Sequence, residues 1–103
     1  MQADVDEEGF LLDLSCWDTA VAEKIAMQEG IELSPEHWEI IYLLREFYQQ
    51  YEISPAMRIL VKQTKAKLGE EKGNSHYLLS LFPGSPAKLA SKIAGLPKPT
   101  NCL

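Results

Sequence analysis

Three Ser-Pro dipeptides, Ser34-Pro35, Ser54-Pro55 and Ser85-Pro86, constrain this chain more than any other feature. Serine just before a helix offers its hydroxyl to the unpaired N–H groups of the first turn. Proline at the first helical position has its φ already set and no donor to lose. Each dipeptide therefore reads as a helix start. The first is reinforced by Glu36, which sets a negative charge at the positive end of the helix dipole. Its helix is expected to run to about Tyr51, with Trp38, Ile40, Ile41, Leu43, Leu44, Phe47, Tyr48 and Tyr51 covering so much of the circumference that it reads as the central core helix. The second start opens a helix with Met57, Leu60, Val61, Thr64 and Leu68 as its buried stripe, stopped at Gly69. The third opens the last helix, with Leu89, Ala90 and Ile93 inward.

Two further helices follow from caps and spacing. Ser15 or Asp18 can cap a helix in which Val21, Ala22, Ile25 and Ala26 recur at helical spacing and which Gly30 ends. Asn74 or Ser75 opens a short one carrying Tyr77, Leu78, Leu81 and Phe82, closed by Pro83-Gly84. Residues 3 to 14 alternate charged with apolar side chains around Glu8-Gly9, which predicts a short β-hairpin turning at Gly9. The expected class is mainly α, formally α+β: a compact helical bundle with a small N-terminal β-hairpin over residues 1–94, and a mobile C-terminal arm over residues 95–103.

At 103 residues the chain has room for one core. A formal net charge of −5, with Asp4, Asp6, Glu7, Glu8 and Asp13 crowding the N-terminus, argues against a general nucleic-acid or anionic-membrane surface. No apolar run reaches membrane-spanning length and the N-terminus lacks the basic start of a secretion signal, so a cytoplasmic protein is expected. Cys16 and Cys102 would be kept as thiols in that compartment. With His37 and His76 as the only histidines, four zinc ligands are hard to assemble. No metal and no organic cofactor are expected.

The arm, Gly95-Leu-Pro-Lys-Pro-Thr-Asn-Cys-Leu103, carries the sharpest chemical candidate. Pro97 and Pro99 remove donors and push their predecessors toward extended conformations. If Gly95 is the left-handed cap of the last helix, the arm could carry Cys102 up to ~26 Å from that helix end. A thiolate there is a competent nucleophile toward a sulfane sulfur, and Lys98 would favour the thiolate if the arm folds back. The bland alternative is a frayed tail with an incidental cysteine. Arg58, Lys62 and Lys65 recur at i, i+4 and i+7 as a basic stripe on the outer face of their helix. They read as a solvated face, as a docking surface for an acidic partner or for a transfer RNA held by one, or as a helix-turn-helix surface of a DNA-binding regulator. His37, His76 and Cys16 have no partner at a telling spacing and read as structural or surface residues.

Four blocks in order add to this. They are Leu33-Ser-Pro-Glu-His-Trp-Glu39, Ser54-Pro-Ala-Met-Arg-Ile-Leu-Val-Lys62, Lys72-Gly-Asn-Ser75 with Tyr77-Leu78 and Leu81-Phe82-Pro83, and Pro86-Ala-Lys88 with Ile93-Ala-Gly-Leu-Pro-Lys-Pro99. Together with a penultimate cysteine they resemble the DsrC/TusE family from about Gly9 onward. The resemblance implies a small, mostly helical sulfurtransferase with an N-terminal β-hairpin, whose arm carries sulfur as a persulfide on the penultimate cysteine, here Cys102. Members serving dissimilatory sulfite reductase have a second cysteine eleven positions earlier; this chain has Ser91 there. The resemblance is thus to the single-cysteine branch, whose members take sulfur from a TusBCD complex and pass it to the thiouridylase MnmA for wobble-uridine thiolation of transfer RNA. The alternatives are a DNA-binding or regulatory helical protein using Arg58, Lys62 and Lys65, or a sulfite-reductase-associated relative lacking the second cysteine.

Overall fold

A computed structural model describes residues 4–99. Five α-helices follow one 3₁₀ turn at Leu14–Cys16: α1 (Thr19–Gln28), α2 (Pro35–Tyr51), α3 (Met57–Leu68), α4 (Ser75–Leu81) and α5 (Pro86–Ile93). Asp18 caps α1 by accepting from the Val21 N–H at 2.8 Å, while Ser15 sits in the 3₁₀ turn. Ser34 and His37 form a reciprocal capping box at α2, with Pro35 at its first position. Asn74 caps α4 through the Tyr77 N–H at 2.8 Å. The third helix departs from expectation. It begins at Met57, its N-cap Ala56 makes no side-chain bond, and the Ser54 hydroxyl is used elsewhere.

Short α5, rather than long α2, is the centre, for it packs against each of the other four helices. Ala87, Ala90, Ser91 and Ile93 are buried along it, and Ala94 just beyond it. Small side chains there let neighbouring helices approach closely, a role that apolar periodicity, weighted toward large side chains, does not reveal. Ile40, Ile41 and Leu44 of α2, Leu60 of α3, Leu78 of α4 and Ala22, Ile25 and Ala26 of α1 close around them. His37 is structural: its Nδ1 accepts from the Ser34 N–H at 3.0 Å and its Nε2 donates to the Leu81 carbonyl at 2.8 Å, tying the start of α2 to the end of α4.

The expected N-terminal β-hairpin is not present. Among the described residues the fold is all-helical, without strands or sheet, and residues 4–12 form a turn closed by one antiparallel bridge between Val5 and Leu11. The Asp6 carboxylate accepts from the N–H groups of Glu8 and Phe10 and so tightens the turn locally. Asp13 then starts the 3₁₀ turn, ending the pairing before a ladder can extend. The alternating pattern has another use: Phe10 and Leu11 are buried, while Val5 and Leu12 face outward.

The arm's first residues are seated on the body. Gly95 has φ +76°, its N–H donates to the Lys92 carbonyl at 3.1 Å, and the Leu96 N–H donates to the Ser91 carbonyl at 2.9 Å. That pair of bonds is a Schellman closure, which folds the next apolar residue back onto the helix. Leu96 is accordingly only 2% exposed and belongs to the core, and Pro99 is buried as well. While these contacts hold, the reach counted from Gly95 is unavailable; the three residues from Pro99 to Cys102 span at most about 11 Å.

Two stability outcomes follow. Leu96→Ala removes a core side chain and is expected to cost about 2–4 kcal/mol, read as a fall in thermal midpoint of roughly 10 °C or more; a tail free from Gly95 onward would give no change. The Ser91 hydroxyl is fully buried with no hydrogen-bond partner among the described residues. Ser91→Ala is expected to raise stability by about 1 kcal/mol, a gain of some 4–8 °C by calorimetry.

Candidate functional site

The root of the C-terminal arm gathers side chains from four distant parts of the chain. The last carbonyls of a helix have no partner within it and must find one elsewhere. At the end of α5, the Trp17 indole N–H donates to the Ile93 carbonyl at 2.9 Å, and Arg45 Nη1 of α2 donates to the Ala94 carbonyl at 2.7 Å. The Arg45 guanidinium lies 3.8 Å from the centroid of the Trp17 ring, so each holds the other in place. Burial pulls the Arg45 value below that of a free guanidinium, with Tyr42 opposing. Gly95 passes directly beneath the indole, and a Cβ at this residue would overlap the Trp17 ring. Only glycine supplies both the left-handed φ and the clearance.

Further along, the Ser54 hydroxyl donates to the Pro97 carbonyl, and Lys98 Nζ contacts Glu8 Oε1 at 2.9 Å. The second oxygen of Glu8 takes Lys88 of α5 at 3.0 Å, so one carboxylate joins arm, N-terminal turn and last helix. Lys98 first and then Lys88 hold the Glu8 carboxyl below the usual range. Lys92, one turn beyond Lys88, pairs with Glu29 at 3.1 Å, and its ammonium lies 5.3 Å from the Phe10 ring centroid.

Of the residues singled out from sequence, Cys102 lies outside the described residues. Lys98 sits at the arm root as described. Arg58, Lys62 and Lys65 share the exposed face of α3 and make no ion pair with a described residue. They are not gathered around Lys98, whose carboxylate partner is on the N-terminal turn. Cys16 is exposed next to Trp17, with no disulfide partner among the described residues. Sequence reasoning missed Trp17, Arg45, Ser54 and Glu8. One signal was available: glycine followed by leucine at a helix end is the Schellman pattern, and it predicts that the leucine folds back. Among the described residues no group of three or more His, Cys, Asp or Glu side chains could hold a metal ion, and no helix is long and apolar enough to cross a membrane.

Comparison with known proteins gives a consistent picture. A family model described as DsrC like protein matches residues 1–103. Sulfurtransferase TusE of Salmonella typhimurium is 57% identical over 98 residues, covering 95% of this chain and 90% of the relative. Sulfurtransferase TusE of Escherichia coli is 54% identical over 102 residues, covering 99% and 94%. Among solved structures, the NMR structure of Allochromatium vinosum DsrC superposes with a TM-score of 0.91 at 55% identity, covering 100% of this chain and 92% of that one. The crystal structure of the oxidized gamma-subunit of the dissimilatory sulfite reductase (DsrC) from Archaeoglobus fulgidus gives 0.85 at 44% identity, covering 98% and 92%.

The Glu8 contacts predict a pH response at the arm root. A carboxylate whose folded-state value lies below its unfolded one adds stability above the unfolded value, and that contribution is lost as pH falls through the folded one. The Lys98–Glu8–Lys88 contact is therefore complete at neutral pH and is lost only as pH falls through a value below that of a free glutamate. In an NMR titration the Glu8 carboxyl is expected to titrate below a free glutamate, and Lys98→Ala to move it upward. A Glu8 that titrates identically in both proteins would show that the contact is not formed.

Proposed function

This chain belongs to the DsrC-like family, and from that premise we propose that it is a sulfur-relay sulfurtransferase whose working thiol is Cys102. The observation that carries the reading is identity above one half, over nearly the full chain, to proteins named sulfurtransferase TusE. The thiol stands one residue from the chain end, on the segment that follows the clamped arm root.

The Cys102 thiolate attacks the outer sulfur of a persulfide on the donor. The donor's S–S bond breaks as the new one forms, and the donor's inner sulfur leaves as a thiolate. The sulfane sulfur now rides on Cys102 as a persulfide, and a thiolate of the acceptor repeats the exchange. No electrons are gained or lost overall. Thiolates of similar basicity enter and leave, so each step is near thermoneutral and the protein's contribution is delivery. Residues 95–103 work as the delivery arm, held at its root by Trp17, Arg45, Ser54 and Glu8.

Upstream the fitting donor is a TusBCD-like complex, and downstream an MnmA-like transfer-RNA thiouridylase, with the RNA met through that enzyme. Arg58, Lys62 and Lys65, which make no ion pair with a described residue, offer a basic face to an acidic partner, and Lys98 lies four residues from the thiol. A hydroxyl at Ser91 cannot form a sulfur–sulfur bond, so the arm is not locked to α5 by a disulfide at that position.

Intact-protein mass spectrometry after incubation with a persulfidated donor tests this. The wild-type chain is expected to gain the mass of one sulfur, Cys16→Ser likewise, and Cys102→Ser none. Sulfur retained by Cys102→Ser would sink the assignment.

A further inference from the structure

The end of α1 is closed in the same manner as the end of α5. The Gly30 N–H donates to the Met27 carbonyl at 3.0 Å and the Ile31 N–H to the Ala26 carbonyl at 2.8 Å, with Gly30 at φ +75°. The reversal lays Ile31, Glu32 and Leu33 beside the last turns of α1. Between them is a groove of about 370 Å³ lined by Glu23, Met27, Ile31, Glu32 and Leu33. Ile31 and Leu33 each have one side against the core, so the floor is fixed. Met27 is 76% exposed, the most exposed large apolar side chain among the described residues. An unbranched thioether in that position adapts to whatever packs on it.

The charge of this groove is one-sided. Glu23 and Glu32 line it, neither makes an ion pair with a described residue, and no basic side chain joins them. Glu29, on the same turn, is already held by Lys92. We propose that this groove docks a relay partner presenting an apolar side chain flanked by lysine or arginine. The inference rests on the relay reading above and names a surface for it. The apolar anchor covers Met27, and its basic flanks meet Glu23 and Glu32. A nucleic acid or an anionic membrane would meet two carboxylates and be repelled.

Position supports the same partner. α1 begins two residues after Trp17, whose ring covers the arm root, and Met27 lies about 12 Å further along the helix axis. A protein footprint of ~800 Å² is wide enough to reach from the groove to the start of α1. The basic face of α3 has the opposite sign. The two faces therefore favour partners of opposite charge.

The test is calorimetric binding of the full-length protein to the purified donor complex and to the purified acceptor enzyme, comparing wild type with Met27→Ala and with Glu23→Lys/Glu32→Lys. All these side chains are exposed or half-buried, so the variants should fold, which a thermal scan verifies. One of the two partners is expected to bind each variant about tenfold more weakly, and added salt to weaken its wild-type binding. Loading of Cys102 by a small-molecule persulfide should be unchanged. Wild-type affinity of both variants for both partners would overturn the proposal. So would a concentration-dependent self-association lost in the variants, because the occupant would then be a second copy of this chain. If the wild type takes no sulfur from the small persulfide, the relay reading fails separately, and the binding comparison still decides the groove.

Discussion

Five carbonyls at the end of α5 have to be satisfied before anything can be attached beyond it, and each is satisfied by a different donor. Ala90 receives the Ala94 N–H, Ser91 the Leu96 N–H, Lys92 the Gly95 N–H, Ile93 the Trp17 indole and Ala94 the Arg45 guanidinium. Three of these are local and belong to the helix end itself. The other two come from the 3₁₀ segment and from α2, so the direction in which the chain leaves α5 is set by tertiary structure. Loss of the indole or the guanidinium would leave a carbonyl unpaired in a largely dry place, at a cost of about 1–3 kcal/mol. The arm inherits its starting direction from this closure.

The helix that carries the closure is itself held on all sides. Its small residues admit α1 to α4 at close range, while Lys88 and Lys92, one turn apart, are gripped by Glu8 and Glu29. The N-terminal turn thus contributes to the arm root without forming a sheet: Phe10 and Leu11 anchor it in the core, and Glu8 reaches both α5 and Lys98. Two exposed surfaces of opposite sign, the basic face of α3 and the acidic groove of α1, stand apart from this frame. A carrier that meets a donor and an acceptor in turn has use for two distinguishable surfaces.

What was legible in the sequence depended on range. Caps act over three residues, so Asp18, Ser34 and Asn74 announced their helices, and Gly30, Gly69 and Gly95 their ends. Ser54 misled because its hydroxyl is taken by Pro97, 43 positions away, and α3 consequently starts two residues later than Pro55 suggested. The alternation around Gly9 had the period of a strand, yet an Asp6 turn and the early 3₁₀ segment left it no length to pair. The arm root was hidden for the same reason of range: Trp17 to Ile93, Arg45 to Ala94 and Glu8 to Lys98 are contacts separated by 76, 49 and 90 positions. No local pattern in a single sequence encodes pairs so far apart. Cys102, the candidate thiol, lies outside the described residues, so its reading rests on sequence alone.

The central claim is that the arm is a fixed root followed by a delivering end, not a tail that is loose from its first residue. Amide hydrogen exchange of the full-length protein tests this most directly, read at Gly95 and Leu96, whose N–H groups donate to Lys92 and Ser91. Protection at both amides comparable to that of the α5 interior at Ala90 is the result this account predicts. Exchange at both at the rate of an unstructured peptide, while α5 stays protected, would contradict it.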